Sequence, residues 1–119
     1  MNKGRKISGS KYHAERKTRV YEGTFQERVV ILGEDKRKNL RVRGGHTKTI
    51  LLRSNKANIM VEGKVKKAEI ENVVETPQNR FLARQNRLMK GSIIKTSLGK
   101  ARITNRPSQE GQINAILVD

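Results

Sequence analysis

From residue 25 onward, the apolar residues of this chain come in short runs separated by glycine and polar residues. Several runs alternate apolar and polar residues, which is typical of half-buried strands. Seven or so short strands at near-regular spacing predict a mostly β fold, a small closed or partly open β-barrel with one short helix. The strands are expected near 29–32, 40–43, 48–53, 59–61, 65–74, 93–98, 101–103 and 113–118.

The stretch LRVRGGHTKTILLR, residues 40–53, holds two glycines between apolar–basic alternations. A Walker phosphate loop needs glycine immediately before its Lys-Thr pair and again five residues earlier, but Thr47 and Val42 stand at these positions. Gly44 and Gly45 instead fit a two-residue hairpin turn, whose central residues favour positive φ. The motif therefore predicts a turn that presents cations to a larger partner.

One helix is expected to interrupt the strands. Thr76 is a good N-cap and Pro77 a good first helical residue, which predicts a helix at 77–88. Its three arginines share one face and lack an acidic partner four positions away, which favours phosphate contact over an ordinary solvated face. These are Arg80, Arg84 and Arg87, while the apolar residues expected to pack on the barrel are Phe81, Leu82, Leu88 and Met89.

The chain carries 27 Lys and Arg residues against 11 Asp and Glu, a formal net charge of +16. Small soluble domains carry about 2–8 charges in magnitude, so this excess indicates a polyanionic partner, with nucleic acid as the leading one. The positive charge is concentrated in three segments. Residues 1–20 and residues 34–56 each have a net charge of +6, and residues 79–106 have a net charge of +8. Because near-neutral segments separate them, the basic segments can converge on one side of the fold.

Residues 1–24 are expected to form an extended basic N-terminal arm, and residues 25–119 the barrel domain. The arm has few large aliphatic residues and no sustained apolar period, so it cannot by itself bury enough area to offset its ordering entropy. Two interpretations stay open, a disordered tail without a role and an extension that becomes ordered on RNA. In the second case Tyr12 and Tyr21 are available to stack on bases.

Residues that could support catalysis or bind a metal are scarce. The chain has no cysteine, and its only histidines, His13 and His46, are far apart in the sequence. Disulfides, cysteine-based zinc sites and thiol catalysis are therefore excluded. Glu69 and Glu71 share a strand face, but nearby lysines favour an exposed, salt-bridged strand over paired catalytic carboxylates. These residues therefore predict neither catalysis nor metal binding.

No segment resembles a membrane span or a secretion signal. The longest apolar runs, such as 29–32 and 50–52, are far below the ~18 residues that a spanning helix needs. The N-terminal sequence MNKGRKISGS has basic residues but no apolar core. We therefore expect a cytoplasmic protein without a membrane partner.

The chain has few aromatic residues, namely Tyr12, Tyr21, Phe25 and Phe81. Proteins that bind single strands use several exposed aromatic platforms. The scarcity therefore favours contacts of arginine and lysine with the backbone of structured nucleic acid. Strand alternation places Arg102, Thr104 and Arg106 on an RNA-facing side, with Ala101 and Ile103 inward.

Three stretches carry a family resemblance: EDKRKNLRVRGGHTKTILLR, GKVKKAEIENVVETPQNRFLARQN and KGSIIKTSLGKARITNRPSQEGQINAIL. They closely resemble the eighth small-subunit ribosomal protein of the archaeal–eukaryotic type, and the similarity runs over the whole chain. Its most specific parts are RVRGG and LGKARITNRP. The short connection through Gly63 resembles the archaeal form. The N-terminus shows a looser version of the family's Gly-Arg-Ser-Lys-like opening.

The resemblance implies a β-barrel with a basic arm bound to small-subunit rRNA, beside neighbouring small-subunit ribosomal proteins. It implies no enzymatic activity, no cofactor and no small-molecule substrate. An alternative stays open, a free RNA-binding translation factor or RNA chaperone. The residues predicted to contact RNA are cations and one histidine: Lys3, Arg5, Lys6, Lys11, Arg16, Lys17, Arg19, Lys36, Arg37, Lys38, Arg41, Arg43, His46, Lys48, Arg53, Arg80, Arg84, Arg87, Lys90, Lys100, Arg102 and Arg106.

Overall fold

The computed structural model describes residues 4–23 and 27–118. Lys3, Phe25 and the expected boundary between the arm and the barrel domain lie outside the described residues. The described part of the chain forms eight strands, one short α-helix and two 3-10 turns, Val20–Glu22 and Arg43–Gly45. The strands and the α-helix are β1 (Ile31–Leu32), β2 (Lys36–Arg41), β3 (Thr47–Ser54), β4 (Lys56–Val61), β5 (Lys64–Glu75), α1 (Arg80–Arg84), β6 (Ile93–Thr96), β7 (Gly99–Ile103) and β8 (Asn114–Leu117).

The strands are divided between a closed barrel and a small sheet. β4 to β8 follow one another around the barrel, which closes through a parallel pairing of β4 with β8. β2 pairs antiparallel with β3, and β1 runs parallel along the other edge of β3. The predicted β-barrel is thus confirmed. It contains five of the eight strands, and β1 to β3 form the separate sheet.

A loop between β7 and β8 explains why β3 does not enter the barrel. The N–H of Leu51 in β3 lies 3.2 Å from the carbonyl of Pro107 and 3.1 Å from that of Glu110. The remaining edge of β3 is thus occupied partly by β1 and partly by this loop. Gly111 permits the close approach, because a Cβ there would lie 3.0 Å from Thr49 Cγ2. The loop therefore ties the small sheet to the barrel.

The barrel interior is filled by alternate residues of its strands. On β7, Ala101 and Ile103 are buried whereas Lys100 and Arg102 are exposed, as the alternation predicted. Isoleucines provide the bulk of the core and alanines let the narrow barrel close, each buried isoleucine contributing about 1.5–3 kcal/mol. The fully buried isoleucines of this core are Ile59, Ile94, Ile103 and Ile113, whereas Ile50, also fully buried, belongs to β3 of the small sheet.

The helix is shorter than predicted and begins at a different cap. The Asn79 side chain accepts a 2.9 Å hydrogen bond from the Phe81 N–H, so Asn79 is the N-cap. The predicted cap, Thr76, is buried, with its hydroxyl 3.3 Å from that of Ser92. The helix ends at Arg84, and two residues later Asn86 adopts a φ of 51°, which a helix cannot accommodate.

Phe81 was predicted to pack on the barrel, and this prediction was wrong. Its side chain is 60% exposed, and the Arg84 guanidinium lies 5.8 Å from its ring centroid. Leu88 is buried as expected, although it follows the helix and does not belong to it. The helix has five residues, so its inward face is shorter than that of the helix predicted at 77–88. It therefore cannot bury all the apolar residues that the predicted helix would have covered.

The glycine pair forms the predicted hairpin connection between β2 and β3. Gly44 and Gly45 have φ values of 82° and 79°, in the left-handed region that favours glycine. The turn is one residue longer than predicted, because the Val42 N–H donates to the His46 carbonyl over 2.9 Å. That bond leaves the three residues Arg43–Gly45 between the paired positions.

Candidate nucleic-acid interface

The β2–β3 hairpin, residues 36–54, is the most strongly basic element of the barrel-and-sheet region. It carries seven Lys and Arg residues and no Asp or Glu. Lys36 stands directly opposite Arg53 in the register, and both are exposed. Like charges at facing positions repel, so an anion bound there would relieve a cost built into the sheet.

The ion pairs of the described residues do not involve the β2–β3 hairpin. Among residues 4–23 and 27–118, pairs within 4.0 Å join only Arg16 to Glu22, Arg87 to Glu27, and Lys95 to Glu71. Within that same part of the chain, no cation of the β2–β3 hairpin has an acidic partner. Its charge is therefore available to an external polyanion.

Most of the predicted contact residues are exposed to solvent. Those that the structure describes are exposed, except Lys48 and Arg87, which are half-buried. The Lys48 ammonium donates to the Gln109 side chain of the loop between β7 and β8. Its contact with RNA would thus use the donors that remain after this bond.

The arginine stripe predicted on the helix is only partly formed. Arg80 and Arg84 line one recess together with Glu75 and the end of β5. Arg87 lies beyond the helix, where its residue forms a β-bridge with Ile31, and its guanidinium is 3.7 Å from Glu27. The prediction that three arginines share one helical face was therefore wrong, because the chain changes direction at Asn86, before it reaches Arg87.

Arg106 was predicted to share a strand face with Arg102, and this was wrong, because β7 ends at Ile103 and Arg106 lies in the loop between β7 and β8. Side-chain hydrogen bonds of the neighbouring Asn105 hold this loop in place. Asn105 donates to the Glu110 carboxylate and to the Gln112 carbonyl, each over 2.8 Å, and its side-chain oxygen accepts from the Asn114 N–H over 3.0 Å. Sequence reasoning missed Asn105 because a lone Asn in a polar loop carries no charge signal. Its nearness to Pro107 was the one available cue.

One row of exposed side chains on the outside of the barrel is apolar, unlike the basic surfaces described above. Val65, Met60 and Ile116 are register neighbours on β5, β4 and β8, and all three are exposed, at 64%, 53% and 43%. Arg102 follows in the same row, opposite Ile116. The predicted contact residue Arg102 thus borders an apolar surface, and its surroundings differ from those of the hairpin cations.

Residues 4–22 of the arm are exposed, and their tyrosines already contact cations. The Lys6 ammonium lies 5.7 Å from the Tyr12 ring centroid, and the Arg19 guanidinium 5.8 Å from that of Tyr21. Arg19 also donates to the Tyr21 hydroxyl over 2.8 Å. Each pair presents an aromatic ring and a cation together, which suits a nucleotide's base and phosphate.

Two ion pairs shift the pKa values of exposed groups. Hydrogen bonds from the Arg16 side chain and the Arg19 backbone lower the pKa of Glu22. The Glu71 carboxylate, 2.7 Å away, raises the pKa of Lys95. Glu71 was predicted to face lysines of its own strand, and the residue that it pairs with is Lys95 of β6.

Within residues 4–23 and 27–118, no three or more acidic or histidine side chains come together as a metal site. In the same residues, no helix is long and apolar enough to cross a membrane.

The sequence matches the family model described as Ribosomal protein S8e over residues 1–118. The chain belongs to the ribosomal protein S8e family. Its relatives include the protein named "Small ribosomal subunit protein eS8" of Methanocorpusculum labreanum, 42% identical over 97% of this chain and 94% of the relative. Proteins of the same name from Methanosarcina barkeri and Nanoarchaeum equitans are 39% and 40% identical, covering 97% and 96% of this chain and 94% and 91% of theirs. The family resemblance drawn from the sequence is confirmed, and S8e is a family of ribosomal proteins, not of enzymes.

Proposed function

We propose that this chain is a structural constituent of the small ribosomal subunit and binds structured small-subunit rRNA through Arg and Lys contacts with the phosphate backbone. The observation that carries the proposal is the acid-free β2–β3 hairpin, whose cations have no acidic partner within the described residues. Membership of a ribosomal protein family supports it further. The chain acts in the cytoplasm, beside neighbouring ribosomal proteins, without catalysing a reaction.

Binding would draw its free energy from the release of counterions around RNA phosphates, so affinity falls steeply as salt rises. Arginine suits this role because its planar guanidinium can bond two phosphate oxygens at once. The helix residues Arg80 and Arg84 provide a second contact surface, apart from the hairpin. Arg84 already lies over the Phe81 ring, which limits the orientations that its side chain must give up on binding.

Sedimentation separates the proposal from its alternative, a free translation factor or RNA chaperone. Tagged full-length chain is expressed in a related archaeon, and ribosomes are run on sucrose gradients at low and high salt. An integral protein stays with the small subunit at both salt concentrations. Release of the whole population at high salt, with sound subunits, would favour the alternative and contradict the proposal.

Charge reversal on the helix tests the RNA contacts themselves. Arg80→Glu with Arg84→Glu is expected to weaken binding to small-subunit rRNA and to flatten its dependence on salt, because two phosphate contacts become repulsive. Binding of purified full-length protein to the transcribed rRNA is measured at several salt concentrations. Replacing the exposed lysines Lys66 and Lys67 of β5 by glutamate gives a charge-matched control. Equal losses in the two variants would show that only net charge matters.

A further inference from the structure

A cavity of about 450 Å³ lies where the segments 27–30, 87–90 and 106–109 meet. Backbone pairing holds two of its walls together, since the Leu88 N–H donates to the Val30 carbonyl over 2.9 Å. The third wall belongs to the loop that is hydrogen-bonded to β3. The cavity is therefore a preformed feature of the fold, and its volume falls in the range of about 300–1,000 Å³ that is typical of ligand sites.

The inner wall of the cavity is apolar. A surface that only contacts phosphates has no use for such a wall, because phosphate oxygens are polar and stay hydrated. The ligand of this cavity must therefore carry a flat or compact apolar part. The apolar residues that line it are Val29, Val30, Leu88, Met89 and Pro107.

Cations surround this apolar wall. Arg28, Lys90 and Arg106 line the cavity and are exposed, whereas the Arg87 side chain is only 24% exposed. Glu27 is the acidic residue among the described lining residues. A half-buried guanidinium beside an apolar wall provides a plane on which a base can stack, and outer cations attract phosphates.

Amide and hydroxyl groups complete the lining, from Gln78, Ser108 and Gln109. Such groups can donate to or accept from the edge of a base. A peptide with acidic and apolar side chains would also match the charges, but it would not need the stacking plane that Arg87 offers. The combination favours a nucleotide.

We infer that this cavity binds one unstacked nucleotide of the RNA, with its base between the apolar wall and the Arg87 guanidinium. The adjacent phosphates then lie at Arg28, Lys90 and Arg106. The inference rests on the proposed function and adds a base contact to a protein otherwise expected to contact RNA backbone.

The first test is a methyl NMR titration of the full-length chain with small probes. The four ribonucleoside 5′-monophosphates are compared with ribose 5-phosphate, and with a peptide of alternating Glu and Leu. At least one nucleotide is expected to shift the methyl signals of Val29 and Met89 more than ribose 5-phosphate does at equal concentration. Equal shifts from nucleotides and ribose 5-phosphate, or shifts from the peptide alone, would overturn the inference.

The second test uses variants that keep the charge. Arg87→Lys removes the stacking plane and is expected to weaken rRNA binding about ten-fold, with an unchanged salt slope. Ser108→Leu, which fills the cavity, is expected to act in the same direction and keeps the inference testable if Arg87→Lys unfolds. The control is Lys66→Arg, a charge-conserving change at an exposed residue of β5 outside the cavity and outside the predicted contact residues, for which no loss is expected.

These outcomes keep the cavity and the proposed function apart. If the unaltered chain binds rRNA with a steep salt dependence while both cavity variants match it, the cavity inference is wrong and the proposed function stands. If the unaltered chain does not bind small-subunit rRNA, the proposed function itself fails. A ten-fold loss confined to the cavity variants would support both.

Discussion

Two consecutive hairpins of similar length differ sharply in their charge. The β2–β3 hairpin, residues 36–54, holds seven cations and no acid, whereas the β4–β5 hairpin, residues 56–75, holds four lysines and four glutamates. Both use antiparallel pairing and positive-φ glycines at the turn. The two hairpins therefore share their pairing and turn geometry and differ in net charge.

We propose that the second hairpin serves the fold, whereas the first, apart from its buried Ile50 and Leu51, serves the partner. β4 and β5 contribute Ile59, Ala68 and Ile70 to the barrel interior, and their charges balance on the outer face. β2 contributes no buried side chain, and its register sets Lys36 against Arg53. A sheet with this arrangement gives up some stability in isolation, and binding of a polyanion would restore it.

The largest expected effect is on stability, in the β4–β5 hairpin. Ile59→Ala removes a fully buried side chain from the barrel and is expected to lower the free energy of unfolding by about 2–5 kcal/mol. Urea denaturation measures the loss, with Val42→Ala in the other hairpin as an exposed control. A loss no greater than that of the control would contradict the assignment of the core to β4.

Next comes the effect of charge on RNA binding. Arg37→Ala with Arg41→Ala should reduce the slope of log affinity against log salt by about 1.4–1.8, as two phosphate contacts are lost. Lys64→Ala with Lys66→Ala removes the same charge from the β4–β5 hairpin and should leave the slope nearly unchanged. Equal reductions of this slope in the two double variants, measured in the same binding assay, would contradict the proposal that the β2–β3 hairpin is the one that contacts RNA.

A smaller effect is expected at the two turns. Gly45 and Gly63 have φ values of 79° and 78°, and a Cβ at either would meet no atom within 4 Å. Alanine at either position should therefore cost about 1–2 kcal/mol of stability from backbone strain alone. Thermal unfolding measures that cost, and rRNA binding below the melting range should weaken for Gly45→Ala only. Weaker binding for Gly63→Ala as well would place both turns on the RNA.

The smallest effect concerns the pKa of Lys95 beside the β4–β5 hairpin. Glu71 raises this pKa, so the pair adds stability at pH values below the ordinary lysine pKa and loses it as pH rises through the raised value. An NMR titration of the Lys95 Cε signal should give a midpoint above 10.5, and Glu71→Gln should lower it. A midpoint that Glu71→Gln does not move would show that the ion pair is not formed in solution.

Alternation and glycine spacing were enough to predict the barrel, since buried Ala101 and Ile103 lie between exposed Lys100 and Arg102. The separate sheet could not be predicted, because it depends on Leu51 bonding a loop more than fifty residues away. The local pattern of apolar and polar residues carries no information about which strand edge a distant loop will cover.

The helix shows a different limit of sequence reasoning. Thr76 and Pro77 form a good start signal, but the Thr76 hydroxyl lies beside Ser92 in the interior and the cap moves to Asn79. Tertiary packing overrode a local preference worth about 1 kcal/mol. For the candidate site, the charge pattern located the exposed cations, while the cavity at Arg87 appeared only once three distant segments were brought together.

Crosslinking tests the division between the two hairpins most directly. Small subunits that contain the chain are irradiated with ultraviolet light, and the crosslinked peptides are mapped together with their nucleotides. We predict crosslinks in residues 36–54 and few or none in residues 56–75, with the linked nucleotides in small-subunit rRNA. Crosslinks concentrated in residues 56–75, with none in residues 36–54, would contradict it.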